Sequence, residues 1–242
     1  MIGRSTFVLG ALALLASVQP LHAPQAFGGR SAPDAVAAAP HATAAGAAFR
    51  FSTLIEGKPV RWNPCAPIHY RIRTVGAPAG GVAAVNSAVA RIAQATGTHW
   101  VLDGPSSATP TTGWLPQSAS QTQPVLIGWT DAAHSDLLRG QARSVLGVTR
   151  TAWFGHTSAV GTVVAIRGAV IALDRTDRIP ATGGESWRSV TLHELGHAMG
   201  LDHAGSSGEL MYPVLGSRLR DLQAGDLAGL ARLGRSQGCI TL

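Results

Sequence analysis

The stretch His193-Glu194-Leu195-Gly196-His197-Ala198-Met199-Gly200-Leu201-Asp202-His203 decides how this chain is interpreted. On a helix, residues four apart share one face, so His193 and His197 can bind one metal ion together. Gly200 can adopt the left-handed conformation that ends a helix, which allows His203 to return as a third ligand. Three protein ligands leave one tetrahedral position of Zn²⁺ for water, which is the arrangement of a catalytic site.

Glu194 follows the first histidine directly and is therefore offset from the line of the two helical histidines. We predict that its carboxylate reaches an activated water and acts as a general base, while His193, His197 and His203 bind the metal. The alternative is an ordinary helix with surface histidines and a capping glycine. Five positions of the motif are fixed within eleven residues, and such a match is improbable by chance, which argues against that alternative.

A second motif, Glu209-Leu210-Met211-Tyr212-Pro213, places its methionine eight residues after His203. Together the two motifs resemble the metzincin clan of zinc endopeptidases and, within it, the matrixins. The close resemblance covers about residues 190–213, with weaker similarity over 62–234. It implies an α+β domain in which a twisted, mostly parallel sheet of about five strands covers the zinc helix, with a C-terminal helix. It also implies a Met-turn, in which Met211 packs beneath the zinc site.

The resemblance implies a zinc-dependent endopeptidase that hydrolyses extended protein substrates. We expect the substrate to pair with an edge strand around Ala169, Val170 and Ile171, and a hydrophobic pocket to be walled partly by Tyr212 and Pro213. Other metzincins carry a tyrosine two residues after the methionine, where it can approach zinc, but here the tyrosine comes immediately after, as in matrixins. The alternative function is a non-catalytic secreted zinc-binding or adhesive module, which would have no chemical need for Glu194.

The N-terminus has the pattern of a secretory signal peptide over residues 1–23. Arg4 supplies the positive charge, Phe7–Val18 is apolar but shorter than the roughly 20 residues that span a bilayer, and Ala23 is suited to cleavage. We therefore expect a secreted protein without a stable membrane anchor. Residues 24–48 are rich in alanine and proline, which predicts a disordered linker or a short pro-segment. This segment lacks the cysteine motif with which matrixin pro-segments block zinc.

Residues 49–242 are long enough for one metallopeptidase domain. The chain has two cysteines, Cys65 and Cys239, and an exported protein with two cysteines most simply pairs them in a disulfide. The alternative makes Cys65 an inhibitory zinc ligand.

The formal net charge is +6, and Lys58 is the single lysine. A basic balance can indicate binding to nucleic acid or to a membrane surface. The arginines are scattered, however, without a basic run or interleaved aromatic residues. We therefore expect a monomer that acts on a protein or peptide substrate and binds no nucleic acid.

Hydrophobic periodicity predicts the order of the main elements. The first half is predicted to contain a strand over 69–73, a helix over 80–96, a short strand over 100–102, a loop over 104–123 and a strand over 124–129. An irregular segment over 130–150 is followed by two strands over 162–166 and 169–173, with a turn at 167–168. The zinc helix is predicted over 186–200, with Leu192, Leu195 and Met199 facing the core, and a last helix is capped by Gly234.

Two further metal sites are considered. Many matrixins hold a structural zinc with an HxD pair followed by two more histidines, and His134 with Asp136 has this form. Because His156 alone follows before the zinc helix, we predict one catalytic zinc and no second one. Calcium at Asp174 and Asp177 is possible, but ion pairs with nearby arginines are the simpler interpretation.

Overall fold

The computed structural model describes residues 48–158, 161–215 and 219–241, together with the backbone of Gln25–Gly28. The strands are β1 (Gln25–Gly28), β2 (Arg50–Phe51), β3 (Leu54–Ile55), β4 (Lys58–Pro59), β5 (Ile68–Arg73), β6 (Trp100–Ser106), β7 (Val125–Thr130), β8 (Val145–Ser158), β9 (Gly161–Asp174) and β10 (Leu201–Asp202). The helices are α1 (Gly81–Thr96), α2 (Trp187–Met199) and α3 (Ala224–Ala231), with short 3₁₀ turns at Thr112–Trp114 and Arg235–Gln237. The predicted signal peptide lies outside the described residues.

The main sheet has the strand order β1-β8-β9-β7-β5-β6. Strands β6, β5, β7 and β9 run parallel to one another, whereas β8 is antiparallel to β9. These five strands, with α2 packed beneath them and α3 near the C-terminus, confirm the predicted α+β layered architecture. The short strand β1 adds a sixth member beyond β8, and it falls within the segment predicted to be a disordered linker or a pro-segment.

The edge of the sheet is not where the sequence placed it. Residues Ala169, Val170 and Ile171 lie in β9, where Val170 pairs with Leu126 of β7 and Arg150 of β8. A strand with partners on both sides has no free N–H or C=O groups for an added strand. The prediction that substrate pairs with Ala169, Val170 and Ile171 is therefore wrong, and the two outer strands of the five are β8 and β6.

Other element bounds also differ from the prediction. Strand β8 begins at Val145, inside the segment predicted to be irregular. Residues Arg167-Gly168 continue β9 instead of forming a turn, and the pairing with β8 shifts at Arg167. Gly168 leaves room for Pro116, because a Cβ there would lie 2.5 Å from Pro116 Cδ. Gly234 follows α3 by three residues and does not cap it, and its lack of a side chain accommodates the backbone of Thr96.

Alternation along the central strands divides the core into two apolar clusters. Ile127 of β7 and Ile171 of β9 face α1 and α2 in the larger cluster, whereas Leu126 and Val170 face the opposite side. On that side the smaller cluster is completed by three leucines from loops: Leu115, Leu137 and Leu138. The sheet is therefore covered on both faces, and the segment 131–144 is anchored by apolar packing.

A disulfide joins Cys65 to Cys239, as predicted from the cysteine count. It ties the segment before β5 to the C-terminal segment after α3, and it leaves no free cysteine. No helix in the described part of the chain is long and apolar enough to cross a membrane.

Candidate metal centre

Helix α2 has well-defined ends that match the predicted bounds. The side chain of Ser186 accepts a hydrogen bond from the backbone N–H of Ser189 and caps the N-terminus. Gly200 ends the helix with a φ of 116°, and a Cβ there would lie 2.7 Å from the carbonyl oxygen of Val60. Both the backbone conformation and the close approach therefore require glycine at this position.

The helix is buried almost all round, so its motif lies inside the protein. Leu192, Leu195 and Met199 contribute to the core as predicted, but His193 and Glu194 on other faces of the helix are equally inaccessible to solvent. Burying charged or polar groups is costly unless they have partners, which makes the partners of these side chains informative.

His193 and His197 are oriented by backbone carbonyls. Nδ1 of His193 lies 2.7 Å from the oxygen of Leu210, and Nδ1 of His197 lies 2.9 Å from the oxygen of Leu201. A carbonyl oxygen can only accept, so each Nδ1 carries the hydrogen and each neutral ring presents a bare Nε2. The two Nε2 atoms are 3.0 Å apart. Two lone pairs therefore face each other with no proton between them, and a bound cation would remove their electrostatic repulsion.

His203 brings a third nitrogen to the same point. It follows β10, which pairs with β2, and the ligand atoms of the three histidines all lie within 4.8 Å of one another. Nε2 of His203 is buried and has no hydrogen-bond partner among the described residues. Three converging imidazole nitrogens form a donor set that suits Zn²⁺, so the residues present fit the metal that the sequence predicts.

The local environment keeps these imidazoles neutral. Burial, together with the neighbouring His203, lowers the pKa of His197 to about 3, and burial lowers the pKa of His193 well below its usual value. Burial also lowers the pKa of His203. Because only the neutral ring binds a metal, no proton has to leave the histidines at neutral pH.

Glu194 does not belong to the group of converging ligand atoms. Its carboxyl is fully buried, and the Thr149 hydroxyl of β8 donates to Oε2 at 2.6 Å. Oε1 has no hydrogen-bond partner within the described part of the chain. Burial raises the pKa of Glu194 to about 8, against the opposing effect of the Thr149 hydrogen bond. The carboxyl can therefore change protonation near neutral pH, as a proton-transfer group must.

Met211 packs directly beneath α2. It is fully buried, and a Cβ added at Gly196 would lie 2.3 Å from its sulfur. The glycine inside the histidine motif thus makes room for the methionine, a role that the sequence analysis did not assign to Gly196. The turn that carries Met211 is also the one whose Leu210 carbonyl orients His193.

Asp226 of α3 holds this turn in place and was missed in the sequence analysis. Its carboxylate accepts hydrogen bonds from the backbone N–H groups of Leu210 at 2.8 Å, Met211 at 3.1 Å and Gln223 at 2.8 Å. Glu209 in turn accepts from the N–H of Asp226. Burial raises the pKa of Asp226 to about 6 despite these donors. The available signal was an acidic residue in the first turn of an otherwise apolar helix.

The predicted pocket residues divide into two groups. Tyr212 and Pro213 follow Met211 and are half-buried, so their predicted role as a pocket wall stays a prediction. Ala169, Val170 and Ile171 are completely buried inside the sheet and cannot contact substrate. On β8, Gly147 faces helix α2 instead, because a Cβ there would lie 3.0 Å from Oε1 of Glu194.

The residues considered for a structural zinc are not brought together. His134 Nδ1 lies 2.6 Å from Asp131, which also binds the guanidinium of Arg175. Asp136 instead accepts hydrogen bonds from Thr112. In the described ranges, the triad on and after α2 is the single group of this kind close enough to share an ion. Asp174, considered for calcium, accepts from the backbone and hydroxyl of Thr176.

The site thus has the features of the metzincin class: three histidines on a helix and the segment after its glycine, with a methionine turn beneath. The family model described as Matrixin matches residues 116–233, which include β7 to β9, the histidine triad and α3. The matched segment spans just under half of the chain and contains the site, so the resemblance inferred from the two motifs is confirmed. No curated protein matches the chain.

Proposed function

We propose that this protein is a secreted zinc-dependent endopeptidase with Glu194 as its general base. The observation that carries the proposal is the convergence of ligand nitrogens of His193, His197 and His203 within 4.8 Å of one another, with the two Nε2 atoms of His193 and His197 3.0 Å apart. The matrixin match supports a zinc peptidase as the general class.

The three histidines would hold the ion, and backbone carbonyls would fix their ring orientation. Zinc bound there would supply the positive charge that polarises the scissile carbonyl and makes the attacking water more acidic. Leu210 and Leu201 accept the Nδ1–H hydrogens, so the tautomer needed for binding through Nε2 is set before the ion arrives.

Glu194 is placed to move the proton. In the proposed reaction its carboxylate takes one proton from the attacking water, whose oxygen bonds to the carbonyl carbon. The same carboxyl then gives that proton to the nitrogen as the C–N bond breaks, so that water and a peptide yield a carboxylic acid and an amine. Thr149 holds Oε2 during these steps, and Oε1 remains available to the water.

Strand β8 is the element that we propose pairs with substrate. It is one of the two outer strands of the five, and unlike β6 it lies against the site, since its residues Gly147 and Thr149 both face Glu194. A substrate that pairs with this edge must be extended, because an extended backbone alone presents N–H and C=O groups at the strand repeat. This replaces the position in β9 that the sequence suggested.

The proposed location outside the cell has three supports. The Cys65–Cys239 disulfide suits an oxidising compartment, matrixins are typically extracellular, and the N-terminal sequence has the pattern of a signal peptide.

The proposal is tested by incubating the purified protein with an unfolded protein substrate, with chelator and after zinc is restored. We expect cleavage that chelator abolishes and that zinc restores to its original rate. Stoichiometric zinc binding without any cleavage would overturn the enzymatic proposal and favour a zinc-binding module.

A further inference from the structure

The backbone of β1 lies on the strand edge that we assign to substrate. In the antiparallel pairing of β1 with β8, Gln25 is opposite Thr149, Ala26 is opposite Val148 and Phe27 is opposite Gly147. The backbone groups of β8 that an extended substrate would need are therefore already paired over this stretch.

This stretch is also the part of β8 nearest the proposed base. Thr149 donates to the Glu194 carboxyl, and Gly147 faces the same carboxyl. Strand β1 also contacts helix α2, which carries His193 and His197. An N-terminal segment in this position occupies the edge of β8 beside the site, so it and a substrate strand exclude each other.

We propose that the segment Gln25–Gly28 is a built-in competitive inhibitor that blocks the site by strand pairing with β8. The proposal rests on the proposed peptidase function. It requires no metal ligand from the segment, and both cysteines are already paired with each other, so neither is free to block the zinc. The backbone supplies the binding, so the segment needs no particular side chain to pair with β8.

The tether sets the expected strength. Residues 29–47 join β1 to the domain in the sequence, and a short covalent connection between a binding segment and its site gives an effective concentration on the order of 1 mM. Let K be the inhibition constant of the free segment added as a peptide. In the intact protein the attached segment reduces the fraction of sites that can bind substrate, so the apparent KM should be higher by the factor 1 + (1 mM/K). The kcat should be unchanged, because saturating substrate displaces the segment. A free-peptide constant of about 0.1 mM would therefore correspond to a roughly tenfold effect on KM.

The experiment severs the tether after folding. A recognition site for a specific protease replaces residues 36–40 of the exported protein, which is checked by intact mass to retain residues 25–28. After cleavage and dilution, we expect the apparent KM to fall while kcat stays the same. A variant with a scrambled, uncleavable site is the matched control. Added peptide of the sequence Pro24–Arg30 should restore the higher KM with a constant that satisfies the relation above.

A pair of proline variants tests the strand pairing itself. In an edge strand, the backbone N–H groups of successive residues point alternately toward the neighbouring strand and away from it. Proline has no N–H, so it removes a hydrogen bond at one of two successive positions and none at the other. We expect one of Gln25→Pro and Ala26→Pro to lower KM as severing does, and the other to leave it unchanged. Gln25→Ala controls for loss of the side chain.

Amide hydrogen exchange gives a readout that does not depend on activity. In the Glu194→Gln protein, amides of residues 145–149 should be protected before the tether is severed and lose protection afterwards. Unchanged KM, unchanged exchange after severing and no inhibition by the peptide would overturn the proposal. If the severed zinc-loaded protein cleaves nothing, the peptidase function fails, and the exchange result still decides whether β1 pairs with β8.

Discussion

The hydroxyl of Thr149 on β8 lies 2.6 Å from Oε2 of Glu194 on α2 and 3.1 Å from the backbone oxygen of the same residue. This contact joins β8 to the residue proposed to transfer protons. Because substrate is proposed to pair with the same strand, one side chain links the placement of the substrate backbone to the placement of the base.

Replacing Thr149 with valine should therefore change the pH profile. The hydrogen bond stabilises the ionised carboxylate and lowers the pKa of Glu194, so its loss should raise that pKa. A hydrogen bond to a charged group is worth about 1.5–3 kcal/mol, which corresponds to an upward shift of about 1–2 pH units in the acid limb of kcat/KM. Thr151→Val, the same change two residues along β8, should leave the limb in place. An unmoved acid limb in Thr149→Val would remove Thr149 from this role.

Zinc binding should release a proton from Glu194. Burial raises the pKa of Glu194 to about 8 in the protein alone, so at pH 7 the carboxyl is mostly protonated, whereas a nearby dication favours the ionised form. Calorimetry in buffers of different ionisation enthalpy should count about one more released proton for wild type than for Glu194→Gln. Equal proton counts would contradict the assigned protonation state.

The same pKa shift has a consequence for stability. The usual pKa of this group, 4.5, lies below its value of about 8 in the folded protein, so between these pH values the folded state binds a proton that the unfolded state has released. Zinc-free wild type should therefore lose stability as the pH rises through this window. Glu194→Gln should not show that loss, and chemical unfolding at several pH values measures the difference.

Asp226→Asn should destabilise the Met-turn. The carboxylate accepts from three backbone N–H groups, two at Oδ2 and one at Oδ1, whereas the amide has one acceptor oxygen and adds a donor. At least one buried N–H loses its acceptor, which costs about 1–3 kcal/mol in the free energy of unfolding. Because Leu210 orients His193, zinc affinity should also fall, by about 10–100-fold. The half-exposed Asp221, replaced in the same way, is the control and should change both quantities little. A fully stable Asp226→Asn protein with unchanged zinc affinity would contradict this account.

The protein should bind one zinc ion. His203→Ala removes one of three converging nitrogens and should lose the metal on dialysis. His134→Ala should keep it, because His134 pairs with Asp131 outside the triad. Elemental analysis after desalting measures both. A wild-type ratio near two that falls to one in His134→Ala would reveal a structural zinc that this account denies.

The helix that carries the histidines could be predicted closely from sequence because its signals are local. Ser186 caps its start and Gly200 ends it, and the spacing of His193 and His197 follows from the helical repeat. The mostly parallel sheet of about five strands followed from the family resemblance. These features depend on residues that are neighbours in sequence or on a motif with fixed spacing.

The edge of the sheet could not be predicted in this way, because strand order depends on long-range pairing. Residues 145–158 alternate weakly and contain two glycines, whereas 169–173 form a clear apolar run. A continuous apolar run is typical of a strand buried on both faces, which is what β9 is. Asp226 and Gly196 were missed for a related reason: their roles consist of contacts to a turn that lies elsewhere in the sequence.

The central claim is that the histidine triad binds a catalytic zinc and that Glu194 transfers protons without binding the metal. Its most direct test measures zinc content and cleavage rate together in wild type and Glu194→Gln. We predict one zinc per chain in both proteins and a rate lower in the variant by about 10²–10⁴-fold, the usual contribution of a general acid–base residue. A variant that keeps near-normal peptidase activity, or that loses its zinc, would contradict the claim.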